Sequence, residues 1–198
     1  MNNIINIAVV GLGQVGIYLL NELNLKKKDI EIKTGKKINI VAVSAKNINK
    51  KRQFQFDKNN FFKNPLEIFE KKKVDILFEA IGQSDGVSKK IVEAALKNKT
   101  HVITPNKALI SKHGNNLAKL AEKNNVNLEF EASVAGGIPV LRSIKEGLAT
   151  NKISKVYGIL NGTSNYILSE MENSNLNFLD VLKKAQKLGY AEPGNPKL

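Results

Sequence analysis

The stretch Ile4-Ile5-Asn6-Ile7-Ala8-Val9-Val10-Gly11-Leu12-Gly13-Gln14-Val15-Gly16 decides the fold. Residues 4–10 form a short apolar run of the kind expected for a strand buried on both faces. Three glycines follow in G-x-G-x-x-G spacing, and residues 15–25 then carry apolar side chains at helical intervals. Strand, glycine turn and helix in that order supply the context that the spacing alone lacks. Gly11 permits a tight turn, Gly13 offers no side chain to block a pyrophosphate, and Gly16 lets helix and strand pack closely. The helix N-terminus adds unpaired N–H groups and partial positive charge. Gly11, Leu12, Gly13, Gln14, Val15 and Gly16 are therefore the candidate phosphate loop of a dinucleotide, against the alternative of a glycine turn that serves packing alone.

Outward from this loop, apolar runs alternate with amphipathic stretches, the pattern of βαβ units and a doubly wound, mostly parallel sheet of Rossmann type. Strands are expected at residues 38–44, 74–80, 101–104 and 128–131. Helices are expected at 66–73, at 86–97 with Ser84 or Asp85 as cap, and at 107–123 with a break at Gly114. Residues 26–37 read as a charged connector and 47–64 as a polar irregular loop. After Glu131 the texture changes to the small, glycine-rich run Ala132-Ser133-Val134-Ala135-Gly136-Gly137-Ile138-Pro139. A helix at 140–150, a strand at 153–160 and helices at 166–171 and 178–188 should follow. A domain boundary is placed near residue 132, giving domains 1–131 and 132–198, the second being the start of an α+β unit.

Composition narrows the classes. Hydrophobic residues make up 42% of the 198, enough for a packed core, and no run approaches the ~18 apolar residues of a membrane span. Residues 1–6 show neither a basic region nor an apolar core, so no secretory signal is expected. Without cysteine there is no disulfide framework and no thiol nucleophile, and a cytoplasmic location is expected. The formal net charge of +13 raises the question of nucleic acid. The lysines come in short runs, Lys26-Lys27-Lys28, Lys50-Lys51-Arg52 and Lys71-Lys72-Lys73, each read at the end of an element and not interleaved with aromatic side chains. They are read as solvated surface that helps to draw in a polyanionic cofactor, and no nucleic-acid partner is expected.

The end of the second strand bears on cofactor choice. An Asp or Glu there would accept from a ribose 2′-OH. This chain has Val43-Ser44-Ala45-Lys46-Asn47 with Arg52 beyond it and no acid. Ser44, Lys46 and Arg52 would instead welcome a 2′-phosphate, so NADP(H) is expected over NAD(H), the alternative being that Lys46 is an ordinary loop lysine.

Four further segments are more specific than the glycine loop: Thr104-Pro105-Asn106-Lys107-Ala108-Leu109, Glu129 through Pro139, Gly158 through Leu168, and Leu188-Gly189-Tyr190-Ala191-Glu192. In order and spacing they resemble the homoserine dehydrogenases over the whole chain. The resemblance implies interconversion of L-homoserine and L-aspartate 4-semialdehyde with NAD(P)(H), on the route to threonine, methionine and isoleucine. By the same resemblance Thr104, Asn106 and Lys107 border the cofactor, with Lys107 orienting substrate at the nicotinamide end, a task that suits an amine able to handle protons. Glu131, Val134, Gly136 and Ile138 align with a sodium site built largely from backbone oxygens, hard donors for a hard cation. Gly162, Thr163, Tyr190 and Glu192 align with positions that hold the amino acid, Glu192 being a natural partner for its ammonium group. Homodimers or larger assemblies are implied for the full-length protein.

The family's general-acid lysine lies beyond a tyrosine-alanine-glutamate segment, and Lys197 follows Glu192 too soon to be that lysine. The 198-residue chain alone is therefore expected to be inactive or very weak. Aspartate-semialdehyde and glyceraldehyde-phosphate dehydrogenases share this kind of front end but need a cysteine nucleophile. A nucleotide-binding regulatory module without catalysis is the alternative function.

Overall fold

The computed structural model describes residues 3–54, 56–159 and 161–191. Their contacts gather into two units, Met1–Leu148 and Ala149–Leu198.

In the first unit, strand β1 (Ile4–Val10) passes through the glycine turn into helix α1 (Gln14–Leu25). A short helix α2 (Lys27–Thr34) and strand β2 (Lys37–Ser44) follow. Strand β3 (Phe61–Phe62), helix α3 (Ile68–Lys71) and strand β4 (Ile76–Glu79) come next. Helix α4 (Val87–Lys97), strand β5 (His101–Ile103), helix α5 (Lys107–Lys123) and strand β6 (Leu128–Glu129) complete the sheet. The strands lie in the order β3-β2-β1-β4-β5-β6, and every pairing is parallel. This is the doubly wound α/β sheet that the alternating pattern predicts.

Side-chain alternation along the strands sorts the core into two layers. Ala8, Val10, Ala42 and Leu77 face one side, where Ile91, Val92, Leu96, Leu109 and Leu117 from α4 and α5 cover them. Ile7, Val9, Val43 and Phe78 face the other, against Leu20 of α1 and neighbouring apolar groups. Burial on both faces explains why β1 reads as a nearly continuous apolar run.

Several expected boundaries are corrected. Residues 27–34 are helical and not a connector: Asp29 in the first turn and Lys33 in the last complement the helix dipole, and Gly35, with φ of 67°, closes the end. Only Ile30 of this helix packs on the core, so the apolar period is too faint to read. Strand β3 emerges within the polar loop because Phe61 and Phe62 pair with Val43 and Ser44. Gly114 does not break α5, whose buried residues Leu109, Leu117 and Ala121 span it. The chain past residue 139 forms a short helix α6 (Val140–Arg142) that runs into a π-helical turn, Ser143–Gly147, and goes no further.

In the second unit, residues 153–159 are not a strand. Their alternation resembles one, but Ile153, Val156, Tyr157 and Ile159 are exposed, and among the described residues no strand pairs with them; a strand needs a partner for its backbone groups. Helix α7 (Gly162–Ser174) begins earlier than expected because Asn161 caps it, its side chain accepting from Ser164 N at 2.9 Å. Helix α8 (Phe178–Lys187) packs on α7 around Ile167, Val181 and Ala185. Among the described residues no helix is long and apolar enough to cross a membrane.

Leu20 and Leu77 lie fully buried in opposite layers. Leu20→Ala and Leu77→Ala should each destabilise the first unit by about 2–5 kcal/mol, read as a lower denaturant midpoint at unchanged slope.

Candidate functional site

The strand order reverses between β1 and β4, and the crevice beyond the carboxyl ends of those strands is where such sheets bind ligands. Gly11 leaves β1 here with φ of 100°, which L side chains rarely adopt, and a Cβ on it would lie 2.4 Å from the carbonyl of Ala80. Its N–H donates to Ser44 O at 2.9 Å, joining the loop to the end of β2. A Cβ on Gly16 would lie 2.0 Å from Gly11 O, so the helix can approach only with glycine there. Gly13 differs: nothing stands within 4 Å of the place its Cβ would take. It is also the residue before α1, with no side-chain cap, which leaves the first N–H groups of the helix to other oxygens. Leu12 is buried, whereas Gln14 and Val15 face solvent.

A groove of about 400 Å³ runs from this loop across the end of β2, lined among others by Gly13, Ser44, Lys46, Lys50, Arg52 and Lys63. Ser44 is buried at its floor, and Lys46 is exposed at its rim. Arg52 takes a different part from the one expected. Its guanidinium donates to four main-chain oxygens: Leu12 at 3.4 Å, Ile48 at 3.4 Å, Lys50 at 3.0 Å and Asn47 at 2.7 Å. It clips the loop after β2 onto the glycine turn, which leaves little of its donor fork for a ligand. Lys50 and Lys63 were not singled out from sequence. Lys50 belongs to a run that reads as the end of an element, yet that run borders the groove, and Lys63 lies within the polar stretch 47–64, where β3 forms only by pairing with β2.

On the β4–β5 side, Thr104 and Asn106 are buried, and both side chains bond to protein groups, among them the carboxylate of Glu79. Asn106 caps α5, accepting from Leu109 N at 3.1 Å, and this makes the exposed Lys107 the first residue of the helix. A cation at a helix N-terminus opposes the dipole, so local helix energetics do not account for a lysine in that position. The turn before α4 is pinned by Asp85, which accepts from Lys112 Nζ at 2.7 Å and meets His113 Nε2 at 2.9 Å. Those contacts, Lys112 foremost and then Ser84 and His113, hold the Asp85 carboxyl well below the usual carboxylate range.

The segment expected to bind sodium follows β6. Ala135 and Gly137 both have positive φ, and Ile138 N donates to Ala135 O at 2.9 Å, closing a tight turn. Ile138 O accepts from Val140 N at 2.8 Å, and Glu131 Oε1 from Arg142 N at 3.5 Å. Val134, Gly136 and Ile138 are exposed. The donors are a carboxylate and main-chain oxygens from a turn of small residues, a set that fits a hard cation. A surface hollow of about 740 Å³ borders Glu131 and Ile138, and the pairs Lys145–Glu129 and Arg142–Glu146 also line it.

In the second unit, Gly162 and Thr163 lie in the first turn of α7. The Thr163 hydroxyl donates to Tyr190 O, and the Tyr190 ring lies against Tyr166 with centroids 4.8 Å apart. Thr163 and Tyr190 are thus brought together, while Glu192 lies outside the described residues.

A parallel sheet in this order, with a glycine turn at its switch point and a helix N-terminus that no side chain caps, defines a dinucleotide-binding domain of Rossmann type. Residues 11–131 match the family model for the homoserine dehydrogenase NAD-binding domain, and residues 139–197 match that for homoserine dehydrogenase. The chain belongs to the homoserine dehydrogenase family. It is 44% identical to the homoserine dehydrogenase of Neisseria gonorrhoeae over 188 residues, 95% of this chain and 43% of that protein. The Bacillus subtilis enzyme is 36% identical over 95% of this chain and 43% of its own length. Among solved structures, a homoserine dehydrogenase from Thiobacillus denitrificans superposes with a TM-score of 0.80 at 37% identity, over 96% of this chain and 44% of that one. That from S. aureus gives 0.76 at 38% identity, over 96% and 45%. The chain therefore spans a little under half the length of these relatives.

The three glycines of the loop should separate on substitution. Gly11→Ala and Gly16→Ala force a Cβ into backbone and should lower the thermal midpoint by at least about 2–4 °C. Gly13→Ala has room and should stay within about 0.5 kcal/mol of the parent. A melting series on the three variants checks this.

Proposed function

We propose that this chain is the cofactor domain and the beginning of the substrate domain of an oxidoreductase that interconverts L-homoserine and L-aspartate 4-semialdehyde, with NADP(H) preferred over NAD(H). The observation that carries the reading is the glycine turn at the β1–β4 switch point within a chain of this family. When bound, a nicotinamide cofactor supplies the hydride chemistry, and the protein supplies orientation and charge. Gly11, Leu12, Gly13, Gln14, Val15 and Gly16 would receive the pyrophosphate, with Gly13 giving the close approach and α1 its N–H groups. Lys46, together with Lys50 and Lys63, would meet a 2′-phosphate at the groove, while Ser44 lies at its floor and Arg52 holds the loop in place. Supporting this preference, β2 ends without a carboxylate that would repel the phosphate.

In the same proposal Thr104 and Asn106 shape the segment that presents Lys107 towards the nicotinamide end, where its amine would orient substrate. Gly162, Thr163, Tyr190 and Glu192 would hold the amino acid. Glu131, Val134, Gly136 and Ile138 would hold a monovalent cation, sodium, through carboxylate and main-chain oxygens. The whole enzyme would act in the cytoplasm, as a homodimer or larger assembly, in threonine, methionine and isoleucine biosynthesis. The relatives named above are dehydrogenases, and nothing favours a non-catalytic regulatory module.

The test is homoserine-dependent reduction of NADP⁺ by the 198-residue chain and by a protein extended to the length of its relatives. Turnover is expected in the extended protein, with the shorter chain lower by ~10²-fold or more, because general acid–base catalysis typically contributes that much. Absence of turnover in the extended protein would overturn the proposal. For the cofactor preference, Lys46→Ala should weaken NADPH by about tenfold and leave NADH unchanged, as expected for loss of one charge-assisted phosphate contact. Equal effects on both cofactors in a titration would remove Lys46 from that role.

A further inference from the structure

Glu79, the last residue of β4, is completely buried, and among the described residues no cation pairs with it. A buried carboxylate persists where several donors converge on it. Here Oε1 accepts from Ile81 N at 2.8 Å, from Ser88 Oγ at 2.7 Å and, more weakly, from Asn106 Nδ2 at 3.4 Å. Oε2 accepts from Thr104 Oγ1 at 2.6 Å. The donors come from three segments: the turn after β4, the first turn of α4, and the residues that lead into α5.

Position gives this cluster its meaning. Glu79 pairs with Val10 across the β1–β4 register, one residue before the glycine turn. A Rossmann sheet consists of two mononucleotide halves. The lysines of the groove stand on the β1–β2–β3 half, and Ala80, Ile81, Gln83 and Val87 after β4 border its other side. The β4–β5–β6 half therefore takes the nicotinamide side, and all the segments gathered by Glu79 belong to that half.

We propose that Glu79 is a positioning residue for the nicotinamide side of the crevice, setting the turn at residues 81–83 and the start of α5 through one shared carboxylate; this rests on the dinucleotide reading given above. Both carboxyl oxygens of Glu79 act as acceptors for the groups that surround them, and this sets the direction of each of those donors. The Thr104 hydroxyl must donate to Glu79, which turns a lone pair to Asn106 N at 3.0 Å. Asn106 in turn donates to Gln83 O at 2.8 Å and caps α5 through Leu109 N at 3.1 Å, placing Lys107 at the first helical position. Of the groups bonded to Glu79, Ile81 also borders the groove of lysines, whereas Ser88, Thr104 and Asn106 do not, so the adenine side depends on Glu79 less than the nicotinamide side does.

The test compares two ligands on the 198-residue chain: NADPH, and ADP-ribose 2′-phosphate, which lacks the nicotinamide. Glu79→Ala should weaken NADPH by about tenfold or more, the scale of orphaned buried donors, and also quench the fluorescence gain of the bound reduced nicotinamide. ADP-ribose 2′-phosphate should lose several-fold less affinity than NADPH. Glu79→Gln, which keeps an oxygen for Ile81 and Ser88 but turns an amide N–H on Thr104, should recover part of the NADPH affinity. Ser88→Ala, which removes one donor with little change of shape, should give the same split on a smaller scale and serves if Glu79→Ala does not fold. A parallel fall for both ligands, or no change for either in any variant, would overturn the role of Glu79. A parent chain that binds neither ligand would instead overturn the dinucleotide reading, and this proposal with it.

Discussion

Everything in the first unit is arranged around a place where three pieces of backbone meet without side chains between them. β1 must turn away from the sheet directly beside the end of β4, and α1 must start directly over that turn. The carbonyl of Ala80 and the oxygen of Gly11 occupy the positions that Cβ atoms on Gly11 and Gly16 would need. Close approach of this kind cannot be relieved by a rotamer change, because the obstructing atoms are main chain. The turn therefore fixes where α1 begins and where its unpaired N–H groups point, while a parallel sheet on either side leaves the crevice open above it.

The two sides of that crevice are built by different physics. The side over β2 is an open, basic groove in which Lys46, Lys50 and Lys63 are exposed charges. Solvent screens such charges, which lets them attract a polyanion without a large desolvation cost. Arg52 is the exception, because main-chain oxygens surround its guanidinium and make it a fastener for the loop. The side over β4 and β5 is dry and internally bonded: Glu79, Ser88, Thr104 and Asn106 are all buried and satisfy one another. A network of this kind gives geometry more than affinity, since each member has its orientation dictated by the others.

The second unit is smaller, with a core of Ile167, Val181 and Ala185 between two helices. Apolar side chains at residues 153–159 stay exposed because the described residues offer them no strand to pair with. This segment belongs to a chain that covers 43–44% of the relatives it matches.

Local physics was enough to read much of the fold and part of the site. The run from Ile4 to Gly16 carries its strand, turn and helix in neighbouring residues, so periodicity and glycine placement reveal them without distant information. The same holds for α4 and α5, whose apolar stripes are long enough to show a helical period. What tertiary structure decided was everything that depends on a partner far along the chain. β3 exists because two phenylalanines meet Val43 and Ser44, and residues 153–159 fail to be a strand because no strand among the described residues pairs with them. Arg52 looks from its position like a phosphate ligand, and only the return of its loop onto Leu12 shows that carbonyls hold it. Glu79 reads as an ordinary residue at a strand end. Its role as the common acceptor for residues nine and more positions away appears only once α4 and the approach to α5 fold over it. Glycine spacing and apolar period are properties of adjacent residues, whereas hydrogen-bond partnership is a property of space.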